Sequence, residues 1–144
     1  VFFRTAYLIT PTMKFVMLMS AIVGLVVTQS FYTTEDDYVD IDAVIADLPS
    51  LQAYADCFLD KGPCTTQTQS YKDIIPDSLL TACEKCNMPQ KERYGRFLQG
   101  LRARLPEEYQ NFRQKYDPMN IYMDDLEAEL AKFVNGPLLP RPTA

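Results

Sequence analysis

The chain has 144 residues, of which 14 are basic and 19 acidic, and it contains no histidine, so its net charge at pH 7 is −5. An acidic surface argues against nucleic acids and anionic membranes as partners, because both require positive charge on the protein. An enzyme without histidine would need a carboxylate or lysine mechanism, and the sequence shows no site for one and no glycine-rich phosphate loop.

The first thirty residues have the pattern of an export signal. Lys14 precedes an apolar run, residues 15–27, after which the chain turns polar. A short basic start and an apolar core of roughly 7–15 residues are typical of a secretory signal peptide, whereas a membrane anchor, the alternative, needs about 20 residues. We expect residues 13–30 to be a signal peptide that is cleaved near Ser30. No role is assigned to residues 1–12.

The remainder is expected to form one domain, residues 31–134, followed by a tail. The tail, residues 135–144, is too rich in proline to continue a helix and is predicted to be disordered. After the signal, no segment is apolar enough to enter a membrane.

Apolar residues recur at helical spacing from residue 41 onwards. The first stripe has members at i, i+3, i+4 and i+7: Ile41, Val44, Ile45 and Leu48. Asp40 precedes this stripe as a candidate N-cap. A second stripe begins after Ser50, which could cap it: Leu51, Tyr54, Ala55 and Phe58. The sequence predicts an amphipathic helix at each stripe.

Pro76 divides the next apolar segment. Tyr71, Ile74 and Ile75 form a short helical face that Pro76 interrupts. Because proline is favoured in the first turn of a helix, a separate helix is predicted to begin there. Its apolar members are Leu79, Leu80 and Cys83.

Three further stripes complete the domain. Their members are Tyr94, Phe97, Leu98, Leu101 and Leu105, then Tyr109, Phe112 and Tyr116, then Met123, Leu126, Leu130 and Phe133. No strand-like alternation persists, so the sequence predicts an all-α fold of about six short amphipathic helices. The basic residues around the first of these stripes are assigned to a solvated face: Lys91, Arg93, Arg96, Arg102 and Arg104.

The cysteines follow the order C-x6-C-x18-C-x2-C: Cys57, Cys64, Cys83 and Cys86. A zinc site is disfavoured, because only one pair has the tight CxxC spacing and no histidine is present. A redox dithiol at "CEKC" is disfavoured, because Glu84 opposes the cationic surroundings of a reactive thiolate and Cys83 is expected inside a helix. An even count in a small exported chain favours two disulfides.

Four cysteines allow three pairings. Loop-closure entropy gives about 2.5 kcal/mol for a ring between residues 57 and 64, about 2 for one between 83 and 86, and about 3.5 for a link from 57 to 83. Energy alone therefore selects none of them. Gly62 and Pro63 allow a sharp turn that favours the sequential pairing, and the other two pairings stay open.

With these residues assembled, the chain resembles the insect chemosensory proteins, also called the OS-D-like family. The cysteine spacing is that of the family, and so are the blocks "YTTEDDYVDID" at 32–42, "YADCFLDKGPCT" at 54–65, "IPDSL" at 75–79, "CEKC" at 83–86 and "KYDP" at 115–118. The resemblance covers nearly the whole domain, from about residue 32 to about residue 122.

The resemblance implies six amphipathic helices around an internal apolar channel, with bridges Cys57–Cys64 and Cys83–Cys86. It implies a carrier of small hydrophobic molecules such as long acyl chains and semiochemicals, without catalysis. It also implies secretion into sensillar lymph or haemolymph. We expect a monomer that needs no cofactor and no metal.

Several residues are candidates for ligand binding. Ile41 and Tyr54 match channel positions of the family, whereas Tyr109 and Tyr122 stand where the family commonly has tryptophan, which changes the expected channel volume. The full candidate set is Ile41, Tyr54, Phe58, Ile75, Leu79, Tyr109 and Tyr122.

Two other functions compete with the carrier. One is a secreted developmental or defence-related interaction factor whose core is simply packed, and the other is a thiol oxidoreductase. Displacement of an apolar probe by fatty acids separates the first from the carrier, and a free-thiol count separates the second.

Overall fold

The computed structural model describes residues 30–35 and 38–134. Within this part of the chain it has six α-helices and no strand: α1 (Ile41–Ala46), α2 (Leu48–Phe58), α3 (Thr66–Leu80), α4 (Met88–Arg104), α5 (Pro106–Tyr116) and α6 (Met123–Ala131). The predicted all-α fold is therefore confirmed. The predicted signal peptide, apart from Ser30, and the predicted tail lie outside the described residues. No helix between residues 30 and 134 that the structure describes is both long and apolar enough to cross a membrane.

Side-chain caps fix where four helices begin. Asp40 caps α1, as predicted. Asp47 caps α2 in place of Ser50, because the chain leaves α1 at Asp47 in an extended conformation and the Asp47 carboxylate then accepts the amide proton of Ser50 at 3.1 Å. Thr65 and Asn87 open α3 and α4 through reciprocal capping boxes.

Two predicted helix boundaries between residues 71 and 83 are wrong. Pro76 lies inside α3, which runs on to Leu80 as one helix. Pro76 is exposed, and the loss of one backbone hydrogen bond costs less there than in the core. Cys83 lies beyond the helix, because Ala82 and Cys83 take positive φ values of 48° and 61° that end it.

The core forms around α4, which packs against α1, α2, α5 and α6. Its fully buried large side chains come from four helices: Leu51, Leu98, Leu101, Phe112, Met123, Leu126 and Leu130. All of them belong to stripes that the spacing predicts, so hydrophobic periodicity accounts for the core.

Two small-ring disulfides close the connections on either side of α3. Cys57, near the end of α2, is bonded to Cys64 with a Cα–Cα distance of 4.9 Å. Cys83 is bonded to Cys86 across the turn before α4, with a Cα–Cα distance of 5.1 Å. The four cysteines of the chain are thus all in disulfides.

Candidate functional site

An apolar cavity of about 60 Å³ lies among α1, α2, α3 and α4. The empty space between its lining atoms, including the part that opens to solvent, is about 560 Å³. The lining residues are Val39, Ile41, Tyr54, Phe58, Tyr71, Ile74, Ile75, Cys86, Gln90, Arg93, Tyr94 and Phe97. Cys86 brings the second disulfide to the cavity wall.

Four of the candidate ligand-binding residues meet at this cavity. Ile41 comes from α1, Tyr54 and Phe58 come from one face of α2, and Ile75 comes from α3. Tyr54 and Phe58 are four residues apart, so a single helix places both rings side by side. The cavity is therefore the place where four of the seven candidate ligand-binding residues come together.

Aromatic rings form the floor of the cavity. Phe58 packs edge-on against Phe97, with centroids 5.3 Å apart, and Tyr54 packs edge-on against Phe58 at 6.1 Å. The Tyr54 hydroxyl donates to Gln67 Oε1 at 3.0 Å, so this polar atom is satisfied although its ring lines an apolar space. Phe97 also packs against Phe112 of α5, with ring centroids 6.5 Å apart.

One wall of the cavity carries polar groups. Gln90, Arg93, Tyr94 and Phe97 fall at i, i+3, i+4 and i+7 on α4 and share one face. The assignment of Arg93 to a solvated face is therefore wrong. The solvated face was predicted for five basic residues, of which the structure leaves only Arg102 exposed. The other four are partly buried: Lys91, Arg93, Arg96 and Arg104.

Residues 31–35, which precede α1, form hydrogen bonds with α3, with α4 and with the turn between them. We call this segment the strap. The amide of Tyr32 donates to the Lys85 carbonyl at 3.0 Å. Gln90 Nε2 donates to the Tyr32 carbonyl and to Thr34 Oγ1, each at 3.0 Å. Because Gln90 also lines the cavity, the strap is held by a residue of the cavity wall.

The strap has a second tie at Tyr32, whose hydroxyl donates to Asp77 Oδ2 at 2.5 Å. Burial and the neighbouring Asp77 carboxylate raise the pKa of Tyr32 to about 12. The same hydrogen bond, together with Lys85, holds the pKa of the Asp77 carboxyl below its usual value. At neutral pH the pair is therefore a phenol bonded to a carboxylate.

Three candidate residues lie away from this cavity. Leu79 is buried in the core but is not part of the lining. Tyr122 is 38% exposed and contributes a backbone amide to the Asp117 carboxylate. Tyr109 is buried between α4, α5 and α6.

The Tyr109 hydroxyl belongs to a polar network. It accepts from Arg102 Nη2 at 2.5 Å and Arg113 Nη1 at 3.2 Å, and it donates to Glu127 Oε1 at 2.5 Å. Arg102 is also paired with Glu127. Tyr109 therefore joins three helices through hydrogen bonds rather than lining the cavity.

A second cavity of about 130 Å³ lies beside that network, between α4 and α6. Its lining mixes apolar and charged groups: Gly95, Leu98, Gln99, Arg102, Glu127, Leu130 and Ala131. The predicted ligand-binding residues do not reach it.

Hydrophobic spacing predicts that Tyr94 and Phe97 share one face of α4, but it does not predict that Gln90 and Arg93 join them there. Gln90 and Arg93 are polar, so they add nothing to a hydrophobic stripe. Their spacing relative to Phe97, at i−7 and i−4, is the signal that could have placed them on its face. Val39 precedes the first stripe and gave no periodic signal.

Comparison with known proteins gives consistent matches. A model of the insect pheromone-binding family A10/OS-D matches residues 32–124. Ejaculatory bulb-specific protein 3 of Drosophila melanogaster is 32% identical over 99 residues, which are 69% of this chain and 79% of that protein. Allergen Tha p 1 of Thaumetopoea pityocampa is 36% identical over 93 residues, 65% of this chain and 74% of that protein. A solved chemosensory protein in complex with bromo-dodecanol matches with a TM-score of 0.62 and 26% identity, covering 67% of this chain and 97% of that one.

Proposed function

This chain belongs to the insect pheromone-binding family A10/OS-D, and we propose that it is a carrier of small hydrophobic molecules. The proposed binding site is the cavity among α1, α2, α3 and α4. The family match confirms the membership that the cysteine spacing and the sequence blocks predict. The observation that carries the proposal is the apolar cavity lined by Tyr54, Phe58 and Phe97. The solved relative with bromo-dodecanol suggests the ligand class, a linear alkyl or acyl chain with one polar end.

The size of the cavity implies that its walls move when a ligand binds. An apolar cavity of roughly 150 Å³ accommodates a benzene molecule, and this one measures about 60 Å³. A long acyl chain is far larger than benzene, so it enters only if the lining side chains or helices separate. The bound form is then a widened state that the ligand stabilises by burying its own apolar surface.

Binding without chemistry is the simplest use of this cavity. Among its described lining residues there is no aspartate, glutamate, lysine or free cysteine. Arg93 is charged, but an arginine in proteins does not give up its proton and is a poor general base. We propose that the protein releases its ligand unchanged.

Secretion is part of the same proposal. Two closed disulfides in a small chain are typical of an oxidising compartment, and the sequence predicts a signal peptide. Sensillar lymph and haemolymph are the proposed sites of action. N-terminal sequencing of the secreted form tests this, and an intact segment 15–27 in the extracellular protein would contradict it.

The carrier is tested by a chain-length series of linear fatty acids and alcohols that displace a fluorescent apolar probe from the oxidised protein. Each added methylene contributes about 0.8 kcal/mol, so affinity should rise about fourfold per carbon until the widened cavity is full. Beyond that length it should level off, because further carbons stay in water or strain the helices.

Tyr54→Ala provides the matching variant. It removes a ring from the cavity wall and should weaken binding of the best ligand by about ten- to a hundredfold. Tyr38→Ala is the control, since Tyr38 is 93% exposed. Affinity that ignores chain length, or a Tyr54→Ala protein that binds as well as Tyr38→Ala, would contradict the carrier. No binding at all would favour the alternative, a secreted interaction factor with a packed core.

A further inference from the structure

Tyr94 carries a polar atom that the fold leaves without a partner beside the cavity. Its side chain lines the cavity from α4. Its Oη is buried and makes no hydrogen bond within the described part of the chain. A buried hydroxyl normally finds a partner, because the hydrogen bonds it made to water are otherwise lost.

The surroundings of Tyr94 keep the hydroxyl neutral. Burial raises the pKa of Tyr94, and the nearby Ser78 hydroxyl opposes only part of that rise. Ser78 donates its own proton to the Ile75 carbonyl at 2.9 Å. Ser78 and Tyr94 Oη do not meet in hydrogen-bonding geometry, so both the proton and the lone pairs of Tyr94 Oη are available.

Two other polar residues of the cavity wall, Tyr54 and Gln90, are already hydrogen-bonded. The Tyr54 hydroxyl donates to Gln67. Gln90 donates through Nε2 to the strap and accepts the Asn87 amide proton through Oε1. A ligand would have to break these bonds to use either residue, but it would break none at Tyr94.

We propose that Tyr94 determines which head group the carrier accepts, by hydrogen-bonding the oxygen at the polar end of a linear alcohol or fatty acid. The inference rests on the proposed function. The alkyl tail would lie against Phe58, Ile75 and Phe97, which line the same cavity. Since the cavity must widen to admit any chain, widening towards Tyr94 satisfies a polar atom that the empty protein leaves unpaired.

The test compares two ligands on three proteins. A primary alcohol and the alkane of equal carbon number are measured by probe displacement on wild type, Tyr94→Phe and Tyr54→Phe. Tyr94→Phe should lower the affinity for the alcohol by about five- to tenfold and leave that for the alkane unchanged, which corresponds to one ordinary hydrogen bond. Tyr54→Phe should leave the ratio of the two affinities as in wild type.

A fatty acid of the same length forms a third arm. A loss on Tyr94→Phe that occurs with both the acid and the alcohol supports recognition of any oxygen head group, and a loss with one of them identifies that head group. An unchanged alcohol-to-alkane ratio on Tyr94→Phe, with no loss for the acid, overturns the inference but leaves the carrier standing. If none of the ligands displaces the probe, the proposed function fails and the inference fails with it.

Stability of the empty protein is a separate readout. Removing an unpaired buried hydroxyl should leave the melting temperature unchanged or raise it, whereas Tyr54→Phe, which removes the donor to Gln67 Oε1, should lower it. A Tyr94→Phe protein that melts as far below wild type as Tyr54→Phe would show that Tyr94 Oη is paired in the empty protein. That result would overturn the inference.

Discussion

The backbone of Gly100 lies directly against the side chain of Ile45. A Cβ at Gly100 would come within 2.7 Å of both Ile45 Cγ1 and Ile45 Cγ2, closer than carbon atoms approach in proteins. This contact lets α1 lie close to α4, and α1 carries Ile41 to the cavity. The absence of a side chain at Gly100 therefore contributes to the position of one cavity wall.

Gly100→Ala should push α1 away from α4. Overpacking of this kind typically costs about 1–3 kcal/mol, and chemical denaturation would measure the loss. Ile45→Ala removes the three carbons that a Cβ would meet, so the double variant should be more stable than the sum of the two single changes predicts. Strict additivity would contradict a contact between these residues.

Gln90→Leu should loosen the strap. It removes the donor to Tyr32 and Thr34, so the amides of Tyr32 and Glu35 should exchange their protons roughly tenfold faster. The measurement is hydrogen exchange followed by NMR. Asn87→Ala is the control, because it breaks the same capping box but keeps both Gln90 donors. Equal acceleration in both variants would show that the cap, rather than the strap contact, is responsible.

Asp117 should make the stability of α6 depend on acid pH. Its side chain is 2% exposed and accepts the amide protons of Ile121, Tyr122 and Met123 at 2.8–3.0 Å. Burial raises the pKa of Asp117, but the three amides outweigh it and the net shift is downwards. A depressed pKa in the folded state means that the stabilisation is present above about pH 4 and is lost as the pH falls through the folded-state value.

Asp117→Asn should therefore melt several degrees below wild type at pH 7. The difference should shrink as the pH falls below about 4, since the wild-type carboxylate is then protonated as well. Thermal unfolding followed by circular dichroism between pH 7 and pH 2 would show both effects. Asp125→Asn, at an exposed position of the same helix, is the control and should change the melting temperature little. A difference that stays constant with pH would contradict the role of the charge.

Ala82→Gly should stabilise the protein. Ala82 has φ of 48°, a left-handed conformation that glycine adopts freely and alanine does not. Allowing for the greater freedom of glycine in the unfolded chain, we expect a gain of about 0.5–1 kcal/mol in chemical denaturation. Ala128→Gly, on the exposed face of α6, should have the opposite sign and a similar size. A loss of stability at both positions would show that the turn carries no strain.

Hydrophobic spacing was sufficient for the core but not for the boundaries. Leu51, Leu101 and Leu126 are fully buried, as their stripes predict, because a helix of 3.6 residues per turn brings such residues to one face. The end of α3 was misplaced since it depends on two residues with positive φ, Ala82 and Cys83, whose side chains do not favour that conformation. Tertiary context and the disulfide ring impose it, and local propensity gives no sign of either.

The cavity was only half predictable for a similar reason. Ile41 and Phe58 are apolar members of stripes, so spacing points to both of them, and the family resemblance points to Ile41 as well. Tyr94 lies on a predicted stripe and Arg93 does not, yet both line the same space. Tyr109 shows the converse: it lies on a predicted inward face, yet Arg102 and Glu127 engage its hydroxyl away from the cavity.

The ring closed by Cys83 and Cys86 lies under one end of the strap, because Lys85, inside that ring, offers its carbonyl to the Tyr32 amide. The disulfide restricts where this carbonyl can point. In reducing surroundings the ring opens, and the carbonyl that anchors the strap becomes free to turn away. Oxidation of this pair therefore affects the rim of the cavity, and a chain that lacks its second bridge should hold a ligand at the proposed site less firmly than a chain that has both.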